Sequence, residues 1–471
     1  MKTENKKDPP AISSLKSNKY QCLLWAFLFI LNIVATFSIL FYIVQKTMGF
    51  RCLLNILFTK KKGFHEFQKS FPDFQYIDLY YLFLSMRRCV ILALIATLLV
   101  NIFHLLITVV FPSLYIALNI YSNLILLVLP LTSFLWMVVD DLRKGGDIND
   151  ISLVFTIFSL LLAIFGVFQF LYRRKFEHTS TSLIRGSSSL ILEHPTLALF
   201  EIVHLFVLFV TNSMLIIGTK ISTSFKEKVT FNPYIYLYTL FSYYWTLMTL
   251  YYLAYMITGG STASCFYDKE NGETKNIVSA SVKRVITKQF GCAAKAGLLF
   301  PIIQVLKYIL EIFNPKHYHL RHHHNDESNN PSFSFRQFSR QTLIYCAVFG
   351  CSYKDASNRL IKKNLNTRIR KLQGNSIISG CLISNFFFLL VAALGLAGVL
   401  YYYHSEKNPK PLPITMMITV TYMLSFFTIL SSLIISTTDS LMLIYLEDPE
   451  VLKKHFPSLY DTLEQINVKY D

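Results

Sequence analysis

Charge is scarce in this 471-residue chain: 15% of its residues are Asp, Glu, Lys or Arg, against 53% hydrophobic. Ordinary soluble domains carry roughly a quarter charged residues. A soluble fold this apolar would struggle to cover its surface, and a disordered chain is excluded because disorder needs low hydrophobicity. Acid is scarcer than base, 28 Asp and Glu against 45 Lys and Arg, for a net charge of +17. The eight cysteines form no CxxC pair and are scattered along the sequence, so neither a disulfide framework nor a zinc site is signalled. No glycosylation sequon, phosphate loop, GxSxG, HExxH or kinase pattern occurs, and no fixed-period repeat. The first apolar run is too long for a signal-peptide core and follows a polar tail, so it reads as an anchor. What the chain does have is apolar length and aromatic rings: 40 Phe, 28 Tyr and 3 Trp. The composition is that of an integral membrane protein.

A spanning helix needs about 20 mostly apolar residues, because the hydrocarbon core is about 30 Å thick. Runs at 22–44, 89–111, 114–139, 151–172, 197–217, 234–257, 381–403 and 413–435 meet this well. Pro112 makes the second and third a tight hairpin. A run at 291–313 is interrupted by Lys295 and Lys307, with Glu311 near its end, and spans if those groups snorkel or face a wet interior. The run 341–353, between Arg340 and Lys354, is too short to cross alone and is re-entrant, tilted or extended by its flanks. The expected class is an all-α polytopic transmembrane helix bundle of about ten spans. A polar tail (1–21) precedes the transmembrane region (22–435), and an acidic tail (436–471) follows it. Segment 173–196 reads as a short amphipathic helix lying on the membrane.

With both termini inside, inner segments hold 24 Lys and Arg and outer ones 19. That bias favours this orientation, as does the Arg173-Arg174-Lys175 run after the fourth span, while Lys60-Lys61-Lys62 opposes it. Basic runs are not interleaved with aromatics outside the spans, so the expected partners are anionic lipid headgroups of the bilayer rather than nucleic acid.

The sixth span is the most distinctive. It reads Tyr243-Tyr244-Trp245, then Met248, Tyr251, Tyr252 and Tyr255. Trp and Tyr normally gather at membrane interfaces, yet Trp245 sits near the middle of its run. Trp245, Met248, Tyr252 and Tyr255 share one helical face. Such a face could form an aromatic box for a quaternary ammonium ion, worth ~2 kcal/mol or more when desolvated. It equally describes plain aromatic packing between helices.

Ionisable groups at membrane depth usually face the bundle interior or water. Glu201 and His204 share a face of the fifth span; Glu201 is a counter-charge, a proton carrier or a snorkelling group. Asp439 falls just past the last span. His104 and His204 read as packing histidines or proton relays. The run His317, His319, His322, His323, His324 could bind a metal, but its Asn, Asp, Ser and Pro neighbours describe a solvated loop; no metal and no cofactor is expected. Gly259-Gly260 after the sixth span allows close helix approach or an unwound turn lining a cavity.

Several of these stretches resemble the choline transporter-like family. Tyr244-Trp245-Thr246 is similar to its Phe-Trp-Thr, and Gly259 to Phe266 to its later glycine- and alanine-rich exit, with Cys265 in place of a Trp. Ser281, Arg284 and Gly291 match a family Ser-x-x-Arg and its downstream Gly. Tyr345, Gly350, Tyr353, Ala356 and Ser357 follow another family segment, where Lys354 replaces a Cys. Arg173, Arg174, His194 and Pro195 fit a fourth-to-fifth connection. Asp439, then Leu446-Glu447-Asp448 and Glu450, is similar to the signature after the last span. The missing sequon and short first loop place the resemblance nearest the fungal pH-nine-sensitive branch.

The resemblance implies ten spans, both termini cytoplasmic, and a multi-pass transporter of choline, ethanolamine or a related small amine in the plasma membrane. Tyr244, Trp245, Tyr252, Tyr255, Glu201 and Asp439 are the candidate substrate-binding residues, with no catalytic residue expected. The competing readings are a heptahelical receptor, which needs seven spans, and a membrane-embedded enzyme built on His104 or His204.

Overall fold

The computed structural model describes residues 22–47, 77–118, 121, 139, 143, 177–224, 233–271, 277–313, 340–366, 389–402 and 412–469. The expected spans at 114–139 and 151–172 lie almost wholly outside them, as do the His317–His324 run and the first part of 381–403. Every regular element among the described residues is helical, and no strand occurs among them. In chain order these are α1 (Leu23–Thr47), α2 (Ile77–Val110), α3 (Glu177–Glu193), α4 (Pro195–Ser224), α5 (Pro233–Asn271) and α6 (Ile277–Arg284). A π-turn (Val285–Gln289) leads into α7 (Phe290–Phe313), followed by α8 (Arg340–Phe349), α9 (Tyr353–Asn366), α10 (Leu389–Tyr402), α11 (Leu412–Glu447), α12 (Pro449–His455) and α13 (Pro457–Lys469).

Three of the described stretches are long and apolar enough to cross a membrane: Arg87–Val110 in α2, Pro195–Ser213 in α4 and Ile414–Glu447 in α11. Leu23–Ile39 and Leu389–Tyr402 are shorter apolar helices. Helix α11 is central, with 78% of its most apolar window buried, against 39% in α2 and 33% in α4. The peripheral helices turn Phe27, Phe103, Leu106, Leu199 and Phe206 outward, more than half exposed. Such a large apolar surface belongs against hydrocarbon rather than water.

Helices α5 and α11 form the spine and run in the same direction. Tyr243 pairs with Ser425 (3.2 Å), Thr258 with Ser436 (2.5 Å), and Ser440 Oγ donates to the Gly259 carbonyl at 2.9 Å. Other hydroxyls along α11 turn back on their own backbone, as Thr437 does to Leu433 O (2.7 Å) and Thr438 to Ile434 O (3.0 Å). In a membrane interior every polar group must be satisfied within the protein.

Two expectations are corrected. The chain does not unwind at Gly259-Gly260: α5 continues unbroken for 39 residues, about 58 Å, past the end of the apolar run at 257. The glycines serve close approach instead. A Cβ at Gly259 would stand 2.8 Å from Ile344 Cγ1, and one at Gly260 3.0 Å from Ala347 Cβ, so α8 lies directly against α5. Asp439 does not follow the last span but lies inside α11, because the apolar run is prolonged by small hydroxyl residues that stay helical when buried. Within segment 173–196, residues 177–193 form a helix with one face packed on the protein and Glu177, Arg185 and Leu192 exposed on the other. Helix α3 buries Thr179, Ser180, Gly186, Ser187 and Ser188 together with Leu183, Ile184, Leu190 and Ile191, and packs against α2, α11 and α13. Its serines and glycine leave room for Leu441 and Leu459, both 3.3 Å from a Cβ placed at Gly186.

Helix α8 rises only about 15 Å over its ten residues. It ends at Gly350, whose φ of 65° is the left-handed turn that glycine adopts without cost, with Gly350 N bonded to Cys346 O at 2.8 Å. Its last carbonyls, which have no helical partner, are taken by neighbours. Arg284 donates to Ala347 O (3.0 Å) and Val348 O (3.2 Å), and Gln289 donates to Cys346 O. Ser352 then caps α9, accepting from Asp355 N at 3.2 Å.

At Gly297 in α7, a Cβ would stand 2.7 Å from Thr249 N and 3.0 Å from Thr249 Cα, both backbone atoms that cannot step aside. Gly297→Ala should cost about 1–3 kcal/mol by overpacking and lower the thermal midpoint of the purified protein. Gly395→Ala, where nothing stands within 4 Å, should leave it level or raise it; equal midpoints for the two variants would contradict this packing.

Candidate functional site

Where α5, α8 and α11 meet, a carboxylate is surrounded by tyrosines. Asp439 on α11 is 2% exposed. Tyr255, one helix over on α5 and fully buried, donates its hydroxyl to Asp439 Oδ2. Arg340 opens α8 and stands within electrostatic reach of Asp439, Tyr251, Tyr252 and Tyr255, and its guanidinium hydrogen-bonds Tyr251. The parallel packing of α5 on α11 sets this up: the Thr258–Ser436 and Gly259–Ser440 contacts hold Tyr255 and Asp439 at one level.

Aromatic rings wall the site. Tyr251 meets Tyr252 at 4.9 Å between centroids and Tyr255 at 6.3 Å. Tyr252 packs edge-on against Phe300 of α7 (5.3 Å), and Phe300 against Tyr353 of α9 (5.9 Å). At the far end of this row of rings, Lys295 of α7 places its ammonium 5.5 Å above the Tyr353 ring. An isolated buried carboxylate costs several kcal/mol to desolvate, which a nearby cation and well-aimed donors offset.

The six residues singled out from sequence do not form one cluster. Tyr252, Tyr255 and Asp439 come together. Trp245 does not join them: it is buried with Phe29 of α1 and Ala294 of α7. Its indole N–H donates to Ala294 O at 2.9 Å, and its ring meets Phe29 edge-on at 5.5 Å. Tyr244 is 39% exposed on the outer side of α5. Glu201 is fully buried on α4, and neither of its oxygens has a hydrogen-bond partner among the described residues. His204 shares its face, is also buried, and lies edge-on to Phe200 at 5.9 Å. His104 sits between Tyr115 (5.4 Å) and Phe427 (5.5 Å), and its Nε2 has no hydrogen-bond partner among the described residues.

Arg340, Tyr251, Phe300 and Tyr353 were not among the candidate binding residues. Arg340 was read only as the flank of a short apolar run. The signal that could have found it is its place directly before an apolar run too short to cross, with Asp439 an acid embedded in small, uncharged residues.

The motif residues acquire structural roles. Ser281 donates to Ile257 O (3.1 Å) and faces Gly260, while Arg284 caps α8. Asp448 ends α11 and caps α12, accepting from Val451 N at 3.5 Å with Pro449 at the first helical position.

If Asp439 and Arg340 compensate one another, Asp439→Leu alone leaves a cation unmatched and should cost a few kcal/mol, on the order found for breaking buried pairs. The double variant Arg340→Met/Asp439→Leu should recover most of that loss. Thermal midpoints of the two purified variants check this, and a double variant less stable than the single one would refute the pairing.

A family model described as plasma-membrane choline transporter matches residues 154–450, well over half of the chain. No curated protein matches it.

Proposed function

The chain belongs to the plasma-membrane choline transporter family, a family of membrane transporters, and on that premise we propose that it moves choline, ethanolamine or a related small amine across the plasma membrane. The observation that carries this reading is the buried Asp439 carboxylate bonded by Tyr255, with Tyr251 within electrostatic reach and Tyr252 packed against Tyr251. An ammonium group recognised there gains charge attraction from the carboxylate and cation–π attraction from the rings, worth ~2 kcal/mol or more in a desolvated site.

Arg340 gives the site a working principle. An entering ammonium competes with the guanidinium for Asp439. Binding therefore weakens the hold of α8 on α5 and α11, and a ligand with different affinity for two arrangements shifts the balance between them. Trp245 then acts by fixing α1 and α7 against α5, and Glu201 is a second buried acid whose charge, when present, needs a cation beside it.

Ten spans with both termini cytoplasmic remain the proposed topology. The shared direction of α5 and α11 supports it, since two parallel helices are separated by an odd number of crossings. That number is three if 338–353 crosses and two if it does not. The short first loop without a sequon supports the fungal branch, and the basic loops meet anionic headgroups.

Uptake of labelled choline into proteoliposomes tests the substrate; equal uptake with and without the protein would refute it. Asp439→Asn should abolish saturable binding. Tyr252→Ala should weaken binding about tenfold more than Tyr252→Phe, which keeps the ring face. Arg340→Gln should tighten choline binding while slowing uptake; looser binding in that variant would contradict the competition.

A further inference from the structure

Four cysteines from three separate parts of the sequence gather at one end of α1, α7 and α8. Cys22 immediately precedes α1, Cys292 lies in the first turn of α7, Cys346 lies in α8, and Cys351 follows the Gly350 turn. All four are reduced. Cys292 Sγ lies 3.3 Å from Cys22 Sγ across 270 residues of chain. Cys346 and Cys351 also hydrogen-bond each other, but within a single turn.

The Cys22–Cys292 pair has the features of a reactive couple. Cys22 is partly exposed, so a small oxidant reaches it, whereas Cys292 is 1% exposed and is shielded from direct attack. Lys295 lies within electrostatic reach of both sulfurs, so a positive charge stands beside the pair. Cys22 is also the only non-glycine with positive φ among the described residues, at 55°. A residue keeps that backbone shape only where its surroundings fix it; here Trp25 N and Ala26 N both bond its carbonyl, at 3.0 and 3.3 Å.

We propose that Cys22 and Cys292 form a peroxide-sensitive thiol pair, a modification site that fastens the start of α1 to α7. The Cys22 thiolate attacks one oxygen of hydrogen peroxide, giving a sulfenic acid and hydroxide. Cys292 then attacks that sulfur: an S–S bond forms, the S–O bond breaks, and the departing oxygen takes up protons and leaves as water. Two thiols lose two electrons and two protons, and one peroxide becomes two waters. The sulfurs close from 3.3 Å to about 2.0 Å. The Cys346–Cys351 bond would tie together residues already held by one turn, whereas Cys22–Cys292 joins two helices.

The test treats the purified full-length protein in lipid nanodiscs with hydrogen peroxide, blocks remaining thiols under denaturing conditions, and maps the peptides by mass spectrometry. The expected product is a cross-linked pair of peptides carrying Cys22 and Cys292, reversed by dithiothreitol and retained in Cys351→Ser. It should be absent from Cys22→Ser, a substitution at a partly exposed site before the helix, in which Cys292 should stay a free thiol. Oxidation of Cys22 to sulfinic acid without a link, a link confined to Cys346–Cys351, or a Cys292 that oxidises equally in Cys22→Ser would each overturn the proposal.

Discussion

A carboxylate placed between membrane helices has no water to fall back on, and the middle of this protein is arranged around that constraint. Asp439 can be buried because Tyr255 donates to it and because Arg340 brings a positive charge to the same place. Each of these requires a helix to arrive in register. Tyr255 requires α5 to run alongside α11 for several turns, and Arg340 requires α8 to begin at the level of the acid. Helix α8 is short and buried, so its far end needs support too, which Arg284 and Gln289 supply by taking its terminal carbonyls. The family motif around Ser281 and Arg284 thus serves the acid indirectly, by holding the helix that delivers the guanidinium.

That close approach depends on small residues. Lipid tails are as apolar as leucine, so helices in a bilayer gain little from hydrophobic burial against one another and associate through packing and hydrogen bonds. Gly259, Gly260 and Gly297 remove the side chains that would keep α8 and α7 away from α5, and Ser436 and Ser440 link α11 to α5 through hydroxyls. The same logic applies to the packed face of α3: its serines and Gly186 make it narrow enough for Leu441 and Leu459 to close over it.

Helical class, apolar character and the family were legible in sequence because they rest on composition, run length and local motifs. The tyrosine-rich face of the sixth span was legible as a pattern, but its division was not. Trp245 and Tyr252 are seven residues apart on one face, yet one packs with α1 and the other lies beside the Asp439 site, because a 39-residue helix meets different neighbours along its length. Arg340 was hidden for a related reason: a residue flanking a short run is indistinguishable from a loop charge until its partner, about a hundred residues away, is brought beside it. The cysteines looked scattered because pairing at a distance leaves no spacing signature. Asp439 was displaced from its helix in the sequence reading because serine and threonine end an apolar run without ending a helix.

The central claim is that the ligand ammonium takes the place of Arg340 at Asp439. The most direct measurement is an electron cryo-microscopy reconstruction of the protein in nanodiscs with saturating choline. The account predicts density for a quaternary ammonium against Tyr252 and Tyr255 beside the Asp439 carboxylate, with the Arg340 side chain moved away from its position here. Ligand density confined to the neighbourhood of Trp245, with Arg340 still held against Asp439 and Tyr251, would contradict it.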